Sequence, residues 1–370
     1  MKYAKKIKKH FEYISADEHL KKLDCSISGL ESASCLLLGA CCHFFTGEKA
    51  LDLISTVKEK LTALLQAEDI SKNKYPAQLT ASLLSAFCNY KKITGFLDCD
   101  ELIEKTANLF IADYTNFLHG ENNDTNKEIV FLSLSQAVLD YYEVTKDNSL
   151  LILLKATFNR LCNLDFYSYT GSCHHYLSFC SCMLKYAQIV NESAISEHIA
   201  TLFDNFLATS QSINYESALL FNDKNGTDAG ATAISLEVAL ALFNNLNDSR
   251  YLTLARRIWF NGMQFCQRFE GHVGANTFTY DKVRLRVKNY SGDLVTTCRY
   301  AVGLKYYALN KDLFADGGEL TKDRRGRYFI GDKMFGFDES EFFGRDLLEI
   351  PTLTAFDKQT AMQLVFKLVF

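Results

Sequence analysis

The sequence predicts an all-α protein, an (α/α)6 toroid of helical hairpins with a small β-hairpin insertion. Three observations support this fold class. Low-charge segments that are apolar on nearly every side alternate with charged segments that carry one apolar stripe, the alternation occurs six times, and the chain has only 2 prolines with 48% hydrophobic residues. A helix that is apolar all round is buried, whereas a striped helix lies outside it. We therefore expect an inner ring of buried helices wrapped by outer helices.

The buried segments are rich in Ala, Ser, Cys and Leu, and we predict them as the inner helices. In chain order they are 32–45, 77–90, 129–139, 176–184, 229–246 and 294–304. The fifth segment shows the pattern best, because Glu237 is its only charged residue.

A short polar turn and a striped segment follow each inner segment, and we predict the striped segments as outer helices. Five are clear and a sixth is weaker; the clear ones are 50–64, 100–110, 149–161, 196–206 and 250–261. The turns recur at intervals typical of a helical hairpin plus its return loop. An open helical solenoid is the main alternative, but it would leave each inner helix with one wetter face.

Two stretches break the alternation. Within about 264–292, apolar and polar residues alternate, which predicts a β-hairpin inserted over one rim. The tail, about 312–370, is rich in Gly, Asp and aromatic residues and predicts irregular packing, ended by an apolar segment, 362–370, that docks on the body. We treat residues 1–370 as a single domain.

Composition limits the partners. A net charge of −4, from 40 basic and 44 acidic residues, gives no electrostatic footprint for nucleic acid. The lysine-rich start is expected to be a solvated helix end rather than a secretory signal, and the longest uncharged run, 32–46, is short for a membrane span. The 12 cysteines are expected to be reduced thiols. We predict a cytoplasmic protein without nucleic-acid or membrane partners; its oligomeric state is open.

In an α/α toroid the inner helices begin at the same rim, so polar residues near their starts meet around a central funnel. With two residues of the inserted hairpin, they are Glu31, Gln78, Glu128, Cys173, His174, His175, Asp228, Glu270, His272, Tyr290, Asp293, Cys298, Arg299 and Tyr300. Hydroxyl groups need paired donors and acceptors, and pyranose faces stack on aromatic rings. The funnel therefore suits a sugar or another polyhydroxylated ligand.

Several of these residues have a second interpretation. The range 173–175 could bind a metal, although adjacent histidines at a helix start point in different directions. Asp228 could be a helix N-cap instead of an acid. Glu270 could be a general acid or a solvated carboxylate, and Cys298 a nucleophile or a packing residue. The sequence contains no P-loop, dinucleotide-binding glycine motif, nucleophile elbow or HExxH motif.

Four short motifs carry a family resemblance. They are HYLS at 175–178, DAGATA at 228–233, DSRYL at 248–252 leading to WFNG at 259–262, and TCR at 297–299. This stretch, roughly a third of the chain, resembles the helical domain of the β-L-arabinofuranosidase family of glycoside hydrolases and its relatives. The resemblance implies an α/α toroid with a carbohydrate-binding funnel.

The same resemblance bears on zinc. In that family, a Glu-x-Cys motif and two adjacent cysteines bind zinc, and the first cysteine of the pair is the nucleophile. The resemblance places Asp228, Gly230 and Thr297 at the glutamate, its cysteine and the nucleophile, so only Cys298 keeps a thiol. One thiolate and one carboxylate do not make the four-ligand sphere that zinc usually takes. We expect no cofactor, and no C-terminal β-sandwich of the family's kind after Leu304.

We predict a carbohydrate-active protein, a glycoside hydrolase-like enzyme that acts on an oligosaccharide through carboxylates at the funnel mouth. The predicted catalytic residues are Asp228, Glu270 and Asp293, and the predicted substrate-binding residues are His174, His175, Tyr290, Arg299 and Tyr300. The alternative is a non-catalytic α/α toroid that binds a sugar or a protein partner, which the lost zinc ligands favour.

Overall fold

Short turns connect most of the helices of this protein in pairs. The computed structural model describes residues 2–67, 75–120, 124–212, 215–263, 266–267, 270–281, 284–315, 320–322, 328–330 and 333–334. The helices are α1 (Lys2–Ile14), α2 (Asp17–Lys21), α3 (Ile27–Phe44), α4 (Ala50–Ala67), α5 (Ala77–Thr94), α6 (Asp100–His119), α7 (Thr125–Ser133), α8 (Ser135–Thr145), α9 (Ser149–Leu161), α10 (Cys173–Val190), α11 (Ser193–Ser210), α12 (Ala229–Leu246), α13 (Ser249–Arg257), α14 (Leu294–Leu309) and α15 (Lys311–Ala315).

The inner helices form a closed ring. Helix α3 contacts α5, α5 contacts α8, α7 and α8 contact α10, α10 contacts α12, α12 contacts α14, and α14 contacts α3. The last of these contacts closes the ring, which an open solenoid does not do. Helices α4, α6, α9, α11 and α13 each pack against the inner helix that precedes them. The predicted α/α toroid is confirmed, and its inner helices include the predicted segments.

Local sequence signals determine where inner helices begin and end. Ser26 caps the start of α3 and Asp228 caps the start of α12, each through a side-chain oxygen that accepts backbone N–H groups. These caps satisfy donors that a helix leaves unpaired at its first turn. At the other end, Gly95 (φ 71°) after α5 and Asn247 (φ 53°) after α12 take the left-handed conformation that ends a helix.

Three features depart from the predicted hairpin pattern. The third inner helix is divided at Leu134 into α7 and α8, and α13 continues into a π-helical turn, Ile258–Met263. Among the described residues, the only helix that follows α14 is the short α15. Helix α1 packs against both α14 and α3 instead. The N-terminal helix therefore covers the seam where the ring closes, a contact between chain ends that the repeat pattern did not predict.

The predicted hairpin is present and belongs to a larger sheet. Strands β3 (Gly274–Asp281) and β4 (Arg284–Gly292) pair in antiparallel orientation within the predicted range. Two strands that were not predicted, β1 (Ala218–Leu220) and β2 (Asp223–Thr227), extend the sheet in the order β1-β2-β3-β4. Strand β2 is short and polar, so its sequence does not show the alternation that predicts a strand.

The tail is described only in part. Strands β5 (Leu320–Lys322), β6 (Tyr328–Ile330) and β7 (Lys333–Met334) form an antiparallel sheet. The prediction of irregular packing is wrong for these strands. The apolar segment 362–370 lies outside the described residues.

Within the described part of the chain, α3 and α12 are long and apolar enough to cross a membrane, by length and composition. In the structure, 61% and 72% of these two segments are buried inside the protein. Buried core helices meet the same criteria, so these helices are weak evidence for a membrane span.

Candidate functional site

A cavity of about 580 Å³ lies inside the ring and is lined by the inner helices. Helix α3 lines it with Glu31, Cys35, Leu38 and Cys42, whose spacing places them on one face of the helix. Eleven residues of helix span about 16 Å, so the cavity extends along much of the ring axis. Between its ends the wall carries short polar side chains, namely Ser82, Ser85, Asn89, Gln136, Ser178 and Ser181.

Near the starts of four inner helices, a charged cluster surrounds Arg299. Its Nη2 lies 3.4 Å from Glu31 Oε1. A Cβ atom placed on Gly230 would lie 3.1 Å from Arg299 Cβ, 3.2 Å from Asp228 Oδ1 and 3.5 Å from His174 Nδ1. The lack of a side chain at Gly230 thus leaves room for these three groups to meet. We define the rim cluster as Glu31, His174, His175, Asp228 and Arg299.

The two histidines of the rim cluster line the cavity. The Nδ1 atoms of His174 and His175 are buried and have no hydrogen-bond partner within the described part of the chain. Burial, together with the nearby Arg299 guanidinium, lowers the pKa of His175 to about 4 and holds that of His174 well below its ordinary value. Both rings are therefore neutral at pH 7, and each can donate and accept a hydrogen bond to a hydroxyl group.

Asp228 caps α12. Its Oδ1 accepts hydrogen bonds from Gly230 N at 2.7 Å and Ala231 N at 3.2 Å. Burial raises the pKa of Asp228, although the two backbone donors and Arg299 oppose this shift. The N-cap interpretation of Asp228 is therefore correct, and the raised pKa leaves an acid function open, with Oδ2 as the oxygen that can hold a proton.

The other two predicted carboxylates, Glu270 and Asp293, are exposed. Asp293 is exposed and caps α14 by accepting a hydrogen bond from Thr296 N at 2.7 Å. The Glu270 side chain is 77% exposed, and its Oε2 lies 3.6 Å from His272 Nδ1. Neither carboxylate is among the residues that line the cavity, and Asp228 is not among them either; Asp228 belongs to the rim cluster through its position beside Gly230 and Arg299. The structure does not bring Glu270 into the rim cluster.

Tyr300, predicted to bind substrate, lies in the core. It is fully buried, and its hydroxyl donates a hydrogen bond to the Met263 carbonyl at 2.6 Å. Tyr290 is in β4, but its side chain lies outside the described part of the structure. Glu128, which also met the funnel criterion, forms a buried ion pair with Arg160 instead.

The residues at the family's zinc positions do not fit the metal. Gly230 has no donor atom, and the Thr297 hydroxyl donates to the backbone carbonyls of Val273 and Asp293. Cys298 is the one thiol left at these positions, and a single thiol does not supply the donor set of the family's site. No group of three or more His, Cys, Asp or Glu side chains among the described residues could hold a metal ion.

The sequence analysis missed the far end of the cavity. There Lys92 Nζ lies 2.9 Å from Asp140 Oδ1 and 2.6 Å from Glu143 Oε2, and Lys185 Nζ lies 2.6 Å from Glu237 Oε1. Burial opposes all of these charges, but the attraction between partners outweighs it and lowers the pKa of Asp140 and Glu237. The sequence did contain one signal for these pairs. Glu237 is the only charged residue of its apolar helix, and a buried charge needs a partner of opposite sign.

No family model and no curated protein sequence matches the chain. Solved structures do match. A family 127 β-L-arabinofuranosidase from Geobacillus stearothermophilus T6 aligns with a TM-score of 0.56 and 13% identity over 82% of this chain and 60% of that one. Cellobiose 2-epimerase from Bacillus thermoamylovorans B4167 aligns with a TM-score of 0.56 and 11% identity over 75% of this chain and 87% of that one. A family 76 α-1,6-mannanase of Salegentibacter sp., in complex with α-1,6-mannotriose, aligns with a TM-score of 0.52 and 12% identity over 76% of this chain and 89% of that one.

The fold is that of the α/α-toroid glycoside hydrolase-like proteins. The resemblance noted from the sequence motifs is thus matched by a structural similarity, at an identity that shows the fold alone. The chain spans about 60% of the length of the arabinofuranosidase it matches. Hydrolases and epimerases both occur among the similar structures, so the fold does not determine the reaction.

Proposed function

We propose that this protein binds an oligosaccharide in the central cavity and acts on it as a glycoside hydrolase-like enzyme at the rim cluster. One observation carries the proposal. The charged rim cluster, in which the Nδ1 atoms of His174 and His175 have no hydrogen-bond partner among the described residues, lies at one end of a cavity of about 580 Å³ with a polar wall. Ligand sites of roughly 300–1,000 Å³ are typical for small molecules. The arabinofuranosidase and mannanase that share the fold support a carbohydrate ligand.

The rim cluster offers two carboxylates in different surroundings. Glycoside hydrolysis commonly needs one protonated carboxylic acid and one carboxylate. Burial raises the pKa of Asp228, which suits the general acid. Glu31 lies beside Arg299 on the cavity wall, which suits the partner carboxylate. His174 and His175 bind sugar hydroxyls in this proposal. Glu31 thus replaces the exposed Glu270 and Asp293 as the second carboxylate.

Turnover by variants tests these roles. Asp228→Asn keeps the helix cap, because asparagine caps as well as aspartate, but it removes the acid. We expect Asp228→Asn and Glu31→Gln each to lower turnover of aryl glycosides or oligosaccharides by about 10²-fold or more. Asp248→Asn is the matched control, since Asp248 caps the outer helix α13, and it should leave turnover unchanged. Full activity in both rim-cluster variants would show that the assignment is wrong.

The second candidate is a non-catalytic sugar-binding toroid. One observation favours it: Asp228 and Asp293 both cap helices, so a structural role accounts for each. A binder would be stabilised thermally by a sugar from the same panel without turnover, because a ligand that binds only the folded state stabilises it. Added zinc should change neither result, since we propose that no metal takes part.

A further inference from the structure

Charged side chains alternate around the cavity at the end opposite the rim cluster. Lysines come from α5, α10 and α14, and carboxylates come from α8 and α12, which stand between these helices in the ring. The remaining inner helix, α3, brings a cysteine to the same end. We define the inner charge ring, in order around the cavity, as Lys92, Asp140 with Glu143, Lys185, Glu237, Lys305 and Cys42.

Two of the three lysines are neutralised by neighbours. Lys92 is held between Asp140 and Glu143, and Lys185 binds Glu237. The hydroxyl of Tyr306 also donates to Glu237 Oε1 at 2.7 Å, which fixes that carboxylate in place. The three carboxylates equal the three lysines of the inner charge ring in number, but Lys92 and Lys185 take all three as partners.

The third lysine, Lys305, has no carboxylate partner within the described ranges of the chain. Its Nζ lies 5.0 Å from the ring centre of Phe45 and 5.6 Å from that of Tyr306. These are cation–π contacts, and they supply no hydrogen-bond acceptor of full negative charge. Lys305 is half-buried on the cavity wall. A cation in this position favours an anion.

The alternation has a gap beside Lys305. Between Lys305 on α14 and Lys92 on α5, the ring order would place a carboxylate on α3, and Cys42 occupies that position. Burial raises the pKa of the Cys42 thiol, so the side chain is neutral at pH 7. The carboxylates of the inner charge ring therefore all stand on α8 and α12, and none stands between Lys305 and Lys92.

We propose that the inner charge ring binds one anionic group, a carboxylate or phosphate carried by a saccharide, and that Lys305 is its ligand. An ammonium group offers three N–H donors and binds such groups as a point charge. The proposal rests on the proposed function and narrows its substrate class to acidic saccharides. An oligosaccharide bound at the rim cluster can present an acidic substituent to Lys305 because a single cavity joins the two ends.

Calorimetric titration of the full chain tests this site. The probes are D-glucuronate, D-glucose 6-phosphate, inorganic phosphate and D-glucose. We expect the wild type to bind at least one of the two anionic sugars at least tenfold more tightly than glucose, with affinity that falls as ionic strength rises. Lys305→Met should abolish this preference, whereas Lys155→Met, a change at an exposed lysine of α9, should keep it.

A second variant tests the site without removing the lysine. Cys42→Asp places a carboxylate in the gap, where it should pair with Lys305 and abolish the preference for anionic sugars. The preferred probe also distinguishes the source of the anion, a uronate or a sugar phosphate. Binding of inorganic phosphate that depends on Lys305, without any sugar binding, would support the anion site and contradict the proposed function. Sugar binding that is equal for neutral and anionic probes in all variants would support the function and overturn this inference.

Discussion

His10 Nδ1 lies 2.8 Å from His43 Nε2, in the seam where α1 packs on the ring. His10 Nε2 lies 2.9 Å from the carbonyl oxygen of Thr297, which can only accept a hydrogen bond, so this nitrogen carries the proton. In the neutral ring His10 Nδ1 is then an acceptor, and His43 Nε2 donates to it. The pair ties α1 to α3 and α14, the two helices that close the ring.

We predict that the protein loses stability as pH falls below about 6.5. Burial lowers the pKa of His10 from its ordinary 6.5 to about 4, and burial together with the charge that His10 would carry lowers the pKa of His43. Between pH 6.5 and pH 4 the two histidines bind protons in the unfolded chain but not in the folded protein. The stability that the neutral pair contributes is therefore fully present above pH 6.5 and is lost as the pH falls towards 4. The shift at His10 alone corresponds to about 3 kcal/mol. Urea unfolding across this range measures the loss.

The control for this prediction removes the titrating pair. In a His10→Gln, His43→Gln double variant, stability should depend less steeply on pH, whatever its value at pH 8. His175, whose pKa is also lowered to about 4 by burial, supplies part of the dependence that remains. An unchanged slope in the double variant would mean that the pair does not carry the acid sensitivity.

We predict that Glu128→Gln destabilises the protein by about 3 kcal/mol. Glu128 is 1% exposed, and its Oε2 accepts from Arg160 Nε at 2.7 Å. Arg160 Nη1 also donates to backbone carbonyls at the end of α6. Removing the carboxylate charge leaves the guanidinium partly buried without its counter-ion, which is the costly step. Chemical denaturation at pH 7 gives the difference in unfolding free energy.

A solvent-exposed pair serves as the comparison for Glu128. Glu101 and Lys105 lie one turn apart on α6 with an Oε1 to Nζ distance of 2.6 Å, and both are mostly exposed. Because water screens such a pair, Glu101→Gln should leave the unfolding free energy nearly unchanged. Similar losses in the two variants would contradict the view that burial makes the Glu128 pair important.

We predict that Asp228→Ala lowers stability by about 1 kcal/mol, whereas Asp228→Asn changes it little. Alanine removes the oxygen that accepts from Gly230 N and Ala231 N, while asparagine keeps it. Burial already raises the pKa of Asp228 and so disfavours its charge, which makes a neutral replacement tolerable. Thermal unfolding of both variants measures the effect. Equal losses would indicate that charge, and not capping, is what stabilises α12.

The sequence predicted the inner helices well because burial on every side determines the composition of each segment. Helix α12 has the predicted bounds, 229–246. The role of α1 could not be predicted in this way, since it packs on α3 and α14 only after the ring has closed. The inner charge ring could not be predicted for the same reason, because it also depends on which helices meet when the ring closes. Lys305 and Cys42 are adjacent in the fold only through the contact between the last and first inner helices, and a single sequence shows them as unrelated residues.

Helical geometry explains why one of the two neighbouring candidate residues of α14 lies on the cavity wall and the other does not. Arg299 lines the cavity, and Tyr300, one residue later, points into the core. Neighbours on a helix are rotated by about 100°, and at this point of α14 the rotation turns Arg299 to the cavity and Tyr300 to the core. Both were predicted as substrate ligands from their shared position near a helix start, and of the two only Arg299 lies on the cavity wall. The carboxylate Glu270 was misplaced for a different reason, because the orientation of an inserted hairpin does not follow from its sequence.

We predict that Gly39→Val destabilises the ring at its closing seam. A Cβ atom on Gly39 would lie 3.1 Å from Cys298 Cβ and 3.2 Å from the Cys298 Cα and carbonyl oxygen, so backbone would have to move. Replacing a helical glycine normally gains up to about 1 kcal/mol in helix propensity, but overpacking a tight core costs about 1–3 kcal/mol. Valine adds two methyl groups at the contact, so the cost should exceed the gain.

Gly120→Ala is the control, because its Cβ would make only ordinary contacts, the nearest at 3.4 Å. Denaturant unfolding should show a loss for Gly39→Val alone, and unchanged stability in that variant would mean that α3 and α14 are not held as closely as the structure shows.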